Sequence, residues 1–157
     1  MRGLAAGITA SVIADLHELS FHDPVAGPGR GAAPLVGLFD ERYFAYCEEA
    51  DLGERARRAG WEVGIVWGAV VGNPGMSSEV GVPEYLMLRN SLLLVRSHFG
   101  RYPAFVRFTM ATWVTIRGVL RPTRRTPFWH LRGRQLALRD FLRGRYGPPP
   151  EELSEAA

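Results

Sequence analysis

The sequence predicts an α/β chain, and three observations carry that expectation. A nearly continuous apolar, β-rich run, WEVGIVWGAVV from Trp61 to Val71, has the composition of a strand buried on both faces. A short amphipathic helix with start and stop signals of its own precedes it. Long stretches follow in which apolar residues recur at steps of three and four, the helical period.

Before the first regular element come two segments of different character. Residues 4–14, LAAGITASVIA, form a largely apolar run behind a single basic residue. This imitates a secretion signal weakly and is too short to span a bilayer as a helix. A buried or fraying terminal helix is the expectation. HDPVAGPGRGAAP, His22 to Pro34, is dense in glycine and proline, which interrupt both periodicities, and reads as irregular chain. Its GPGRG lacks the Gly-Lys-Ser/Thr of a phosphate-cradling loop. Residues 1–34 are therefore expected to be weakly structured.

From Leu35 the pattern turns regular. LVGLFDERYFAY leads into three carboxylates within four residues, Glu48, Glu49 and Asp51. Asp51 followed by Glu54 has the spacing of a helix N-cap and its reciprocal partner, which predicts a helix from Leu52 to about Ala59. Leu52, Ala56 and Ala59 share a face, and Gly60 stands where a left-handed cap is needed. After the strand, Asn73-Pro74-Gly75 supplies turn chemistry. From Pro83 onward Tyr85, Leu88, Leu92 and Val95 mark one helix face. A second helix is expected from Ala104 to Leu120, broken by Pro122 and Pro127, and a third from Leu131 to Arg145. GPPPEELSEAA reads as a disordered tail. The expected organisation is thus 1–34 irregular, 35–98 regular α/β, 99–147 arginine-rich and helical, and 148–157 disordered.

Charge is divided unevenly along the chain. All nineteen basic residues are arginine; thirteen lie between Arg89 and Arg145 with one acid, Asp140, among them, whereas twelve of the sixteen acids lie at or before Glu84. Such a segment suits an anionic partner or is simply a solvated helical surface. No helix-turn-helix, zinc-finger or RNA-stacking pattern accompanies it, so nucleic acid is not expected as a partner. Phe105, Phe108, Trp113, Phe128 and Trp129, mixed with arginine, fit an interfacial segment at a membrane surface. Arg107 and Arg117 argue against a spanning helix. The alternative is a helical cap packed on the α/β part.

Single residues point less far. One cysteine, Cys47, excludes an intrachain disulfide and a cysteine-based zinc cluster, and beside aromatic residues it reads as a packed thiol. His17-Glu18 and His22 are spaced five apart, about 140° round a helix, which excludes the shared metal of the zinc-protease pattern. His98 and His130 stand alone in the sequence and are expected at the surface or locally satisfied.

The ordered series GLFDERYFAYCEEADLGERARRAGW, then an apolar strand, a glycine- and serine-rich turn and YLMLRN resembles the second half of the catalytic domain of inverting family 2 glycosyltransferases of the GT-A fold. The likeness covers roughly Val36 to Asn90. It implies a partial GT-A (nucleotide-diphospho-sugar transferase-like) α/β domain followed by basic amphipathic helices. By that resemblance Glu49 is the base that takes a proton from the acceptor hydroxyl as it attacks the anomeric carbon. Glu48 and Asp51 contact the acceptor or support the loop, with helix capping the plain reading of Asp51. Asp40 and Glu41 match a turn whose aspartate orders backbone. Arg89 and Asn90 match an Arg-Asn pair whose arginine faces donor phosphates, guanidinium being suited to paired hydrogen bonds with phosphate. Bracing of the acidic loop is the other account of Arg89.

The implied partners are a nucleotide-sugar donor, a sugar or lipid-linked acceptor and a membrane surface. The implied location is the cytoplasm, peripheral at the inner face of the membrane. The implied cofactor is a divalent metal, Mg or Mn, with ligands mostly outside this chain. Two departures stand out: Gly72 occupies the place where the family commonly has a metal-binding histidine, and the family's first half, with its Asp-x-Asp, is missing. The chain reads as a C-terminal fragment or truncated frame. Its expected function is sugar transfer with inversion in cell-envelope or polysaccharide biosynthesis. The alternative is a non-catalytic membrane-peripheral or scaffold protein derived from such an enzyme.

Overall fold

The computed structural model describes residues 36–64, 80–126 and 129–153 and two short strand segments. Most of the strand expected at Trp61 to Val71 lies outside the described residues, as do residues 1–21. Two units can be recognised, one from Met1–Leu38 and Leu52–Pro74, the other from Phe39–Asp51 and Gly75–Ala157.

In the first unit, β1 (His22–Asp23) pairs antiparallel with β2 (Gly27–Pro28), His22 opposite Pro28 and Asp23 opposite Gly27. The glycine- and proline-rich stretch read as irregular thus contains a minimal hairpin. Helix α1 (Glu48–Arg58) gives this unit its residues from Leu52 onward. It ends as the sequence requires: Gly60 is left-handed at φ 89°, the Trp61 amide donates to the Ala56 carbonyl, and the Gly60 amide donates to the Arg57 carbonyl. That pair of bonds is a Schellman termination, and the apolar contact that accompanies it is Trp61 against Ala56, with Val36 packed alongside. Arg55 reaches back to the carbonyls of Val36 (2.5 Å) and Leu38 (2.8 Å). Ala59, expected on the buried face, is exposed.

The second unit is built on three helices, α2 (Gly81–Phe99), α3 (Arg101–Leu120) and α4 (Leu131–Arg143). The face predicted from periodicity is the one buried: Tyr85, Leu88 and Leu92 enter the core with Leu136, Ala137 and Phe141, and Val95 packs at its margin. Helix α3 meets this core through the small buried residues Ala104, Ala111, Thr115 and Gly118 and through Phe108, which stacks on Phe141 with ring centroids 6.1 Å apart and so faces the core and not an interface. Close approach is enforced at two glycines. A Cβ on Gly133 would stand 2.7 Å from the Gly81 carbonyl oxygen, and one on Gly118 would stand 2.5 Å from the Trp129 indole nitrogen. Arg134 ties the helices together by pairing with Glu84 of α2 and donating to Thr115 Oγ1 of α3 at 2.9 Å.

One expectation about this unit is met and another is corrected. His130 is the N-cap of α4, its Nδ1 accepting from the Gly133 amide at 3.1 Å. The tail, through Leu153, is docked: Leu153 is buried in the core and Arg132 pairs with Glu152 at 2.5 Å. Three consecutive prolines give a stiff chain with little backbone entropy to lose, so burying a single leucine suffices to seat it.

Candidate functional site

The acidic cluster lies on the first turn of α1, and physics explains its crowding. Glu48, Glu49 and Asp51 face the positive end of the helix dipole, and Arg55, Arg57 and Arg58 occupy the negative end. The helix begins four residues earlier than the spacing of Asp51 and Glu54 predicts. The Asp51 amide already donates to the Cys47 carbonyl at 3.0 Å, so Cys47, not Asp51, holds the cap position. Glu54 pairs instead with Arg58 at 3.0 Å and Arg57 at 3.6 Å.

Asp51 is released for a longer-range task. Its buried Oδ1 meets Nε2 of His98, near the end of α2, at 2.7 Å and accepts from the Tyr43 hydroxyl at 3.3 Å. Nothing in the sequence separates His98 from a surface residue, because its partner lies 47 positions away. Burial, then the Asp51 charge, raises the Tyr43 phenol well above its ordinary value, so Tyr43 remains a donor.

The loop leading into this turn is strained. Phe44, Tyr46 and Cys47 have φ of 66°, 67° and 70°, a region that costs a residue with a side chain about 1–2 kcal/mol. Around Phe44 the Ala45 amide donates to the Tyr43 carbonyl at 2.8 Å, closing a γ-turn. At its start, Asp40 accepts from the Arg42 amide and guanidinium, ordering the backbone as its place in the pattern suggested.

What holds the strain is the Arg89-Asn90 pair on α2. Asn90, fully buried, donates from Nδ2 to the carbonyls of Tyr43 (2.8 Å), Ala45 (2.7 Å) and Tyr46 (2.9 Å), and its Oδ1 accepts from Arg89 Nε at 3.0 Å. Arg89, also fully buried, donates to the carbonyls of Gly147 (2.8 Å) and Tyr43 (3.3 Å) and to the Tyr85 hydroxyl (3.0 Å). Tyr85 in turn donates to Asp140 at 3.0 Å, which relays a counter-charge to the buried guanidinium. The contacts that Arg89 and Asn90 make are thus the bracing ones.

The two glutamates differ in setting. Glu49 is exposed on the helix turn, whereas Glu48 is partly buried, with Oε2 enclosed and meeting no hydrogen-bond donor among the described residues. Burial raises the Glu48 carboxyl above the usual range, and the Glu49 charge adds to this. Burial likewise pushes the Cys47 thiol up to about 11, which makes it a packed thiol and a poor nucleophile at neutral pH. Among the described residues no three histidine, cysteine, aspartate or glutamate side chains converge as metal ligands do.

Over 115 residues the chain is 31% identical to the N-acetylglucosaminyl-diphospho-decaprenol L-rhamnosyltransferase of Mycobacterium tuberculosis strain CDC 1551 / Oshkosh. The same enzyme of strain ATCC 25618 / H37Rv matches equally. The chain is similar to a glycosyltransferase. The match takes in 67% of this chain and 38% of the relative, so the chain spans well under half the length of the enzymes it resembles. No protein-family model and no solved structure matches. The comparison supports a glycosyltransferase relationship coarsely, without detail of donor or acceptor.

Proposed function

We propose that this chain is the acceptor-side part of an inverting GT-A glycosyltransferase domain of family 2. In this reading it takes part in moving a sugar from a nucleotide-sugar donor to a hydroxyl of a lipid-linked or other cell-envelope acceptor. The observation that carries the proposal is the likeness to the mycobacterial rhamnosyltransferase. The braced loop before α1 supports it, because strain held in place by buried side chains is characteristic of functional sites.

The chemistry asks for one base. As the acceptor oxygen bonds to the anomeric carbon, its proton passes to a carboxylate and the bond to the departing nucleoside diphosphate breaks on the opposite face. Glu49 takes that role by its place in the pattern, and its exposure on the helix turn leaves it open to an acceptor. A second reading gives the role to Glu48, whose carboxyl burial raises above its ordinary value, the direction that favours a proton acceptor. Arg89 and Asn90 contribute by fixing the loop; Asp51 contributes by anchoring the turn through His98. A divalent ion, where one is used, would stabilise the leaving diphosphate.

The test is titration of the purified chain with UDP- and dTDP-sugars, with and without manganese, for wild type, Glu49→Gln and Glu48→Gln. Binding that responds to one of the substitutions supports the proposal and chooses between the glutamates, and the manganese arm reports whether this chain adds to a metal site. Binding indifferent to both substitutions overturns the proposal.

A further inference from the structure

Helix α3 wears its bulk on the wrong side for a helix that serves only to pack. Its fully buried residues are small, Ala104, Ala111, Thr115 and Gly118, and Phe108 is its one large side chain packed on the core among the described residues, whereas Tyr102, Phe105, Met110, Trp113, Ile116 and Leu120 are exposed. Tyr102 is 77% exposed, Trp113 64% and Leu120 72%. At the helical period these six fall on one stripe opposite the buried face and run the length of the helix, about 30 Å for twenty residues. A contiguous apolar surface of that extent, unlike scattered single residues, marks a docking face.

Charge says what docks there. Arg101, Arg107 and Arg117 are spaced along the same helix and Arg121 caps its end, and no acidic residue occurs between Glu84 and Asp140. No helix among the described residues is long and apolar enough to cross a membrane. We infer that α3 lies flat on an anionic lipid surface, its aromatic stripe at the level of the acyl boundary and its arginines on lipid phosphates. A protein partner would need apolar side chains and carboxylates in matching register along the whole helix. A bilayer with anionic headgroups offers both at every point. Long arginine stems let the guanidiniums reach the headgroups from the flanks of an immersed stripe. The inference is independent of the transferase reading, since it rests on no residue of the acidic turn or its braces.

The experiment uses the full chain and vesicles of phosphatidylcholine mixed with phosphatidylglycerol, beside phosphatidylcholine alone, with co-sedimentation and quenching of tryptophan fluorescence by brominated acyl chains. Wild type partitions onto the anionic vesicles, with quenching that Trp113→Ser diminishes, and binds the neutral ones far less. The variant carrying Arg101→Gln, Arg117→Gln and Arg121→Gln loses on the order of a hundredfold in partition, roughly fivefold for each arginine. Phe105→Ser with Trp113→Ser loses roughly tenfold or more. Both variants keep the wild-type melting temperature, which shows that the stripe is not core. Failure of wild type to bind anionic vesicles, equal binding to neutral ones, or unchanged binding of the variants overturns the inference. A concentration-dependent dimer abolished by Phe105→Ser with Trp113→Ser also overturns it, because a second copy would then cover the stripe.

Discussion

Replacing Asn90 by alanine removes the side chain on which the strained loop is hung. The amide has two hydrogens shared among three carbonyls at 2.7–2.9 Å, so it makes about two full hydrogen bonds' worth of contact. Buried bonds of this kind contribute about 1 kcal/mol each, and stranding a buried carbonyl costs about 1–3 kcal/mol. Loss of the acceptor for Arg89 Nε, a bond from a charged donor, adds about 1.5–3 kcal/mol. Allowing for relaxation and entering water, Asn90→Ala is expected to cost about 4 kcal/mol, a large share of the 5–15 kcal/mol by which domains are typically stable. Urea denaturation followed by circular dichroism reads this directly. With a slope near 2 kcal/mol per molar the midpoint falls by about 2 M at unchanged slope. Met87→Ala, at an exposed position three residues earlier on the same helix, serves as control and is expected within about 0.5 kcal/mol of wild type. A loss below about 1 kcal/mol for Asn90→Ala would show that the loop keeps its left-handed residues without the brace, and the account of the site given above would be wrong.

Other outcomes follow from particular contacts. Gly133→Ala gains about 1 kcal/mol of helix propensity and still destabilises, by about 1–3 kcal/mol, because its methyl meets the Gly81 carbonyl oxygen; a lowered melting temperature checks it, and a raised one refutes the close approach. His98→Leu removes a buried hydrogen-bond partner of Asp51 and is expected to cost about 1–3 kcal/mol, while a double-mutant cycle with Asp51→Asn should show coupling of at least about 0.5 kcal/mol. Glu48→Gln carries a sign that depends on pH. Because the folded-state carboxyl is raised, the group stabilises the fold below the ordinary carboxylate value, and that contribution is lost as pH rises through the folded value; Glu48→Gln is therefore more stable than wild type at pH 7 and loses this advantage on acidification. Equal stability at all pH values would sink that reasoning.

The helices of the second unit were legible because their apolar spacing follows the helical period, and Tyr85, Leu88 and Leu92 are buried as that spacing requires. The Schellman end of α1 was legible too, Gly60 being a local necessity. What escaped was settled over distance. Asp51 looks like a cap because Glu54 follows it at the right interval, yet the chain gives that position to Cys47 in a left-handed conformation that no local preference suggests. The stability for that arrangement comes from Asn90 and Arg89, more than forty positions away. His98 and His130 gave no periodic signal, and Leu153 stands in a segment whose prolines and acids read as disordered. The bracing of the acidic loop was one of two accounts of Arg89 open to the sequence; burial and hydrogen bonds describe that one. The acidic pair itself was found by pattern, but the contrast between Glu48 and Glu49 needed coordinates.

The three left-handed residues before α1 carry a consequence for how this segment can vary. Glycine at Phe44, Tyr46 or Cys47 would relieve the bend locally, yet it would also open many other backbone paths to the same stretch. The carboxylates that follow would then occupy a cloud of positions instead of a point. Tension against an asparagine hook gives the opposite result: a hinge that can rest in one place only, and that fails all at once when the hook is cut.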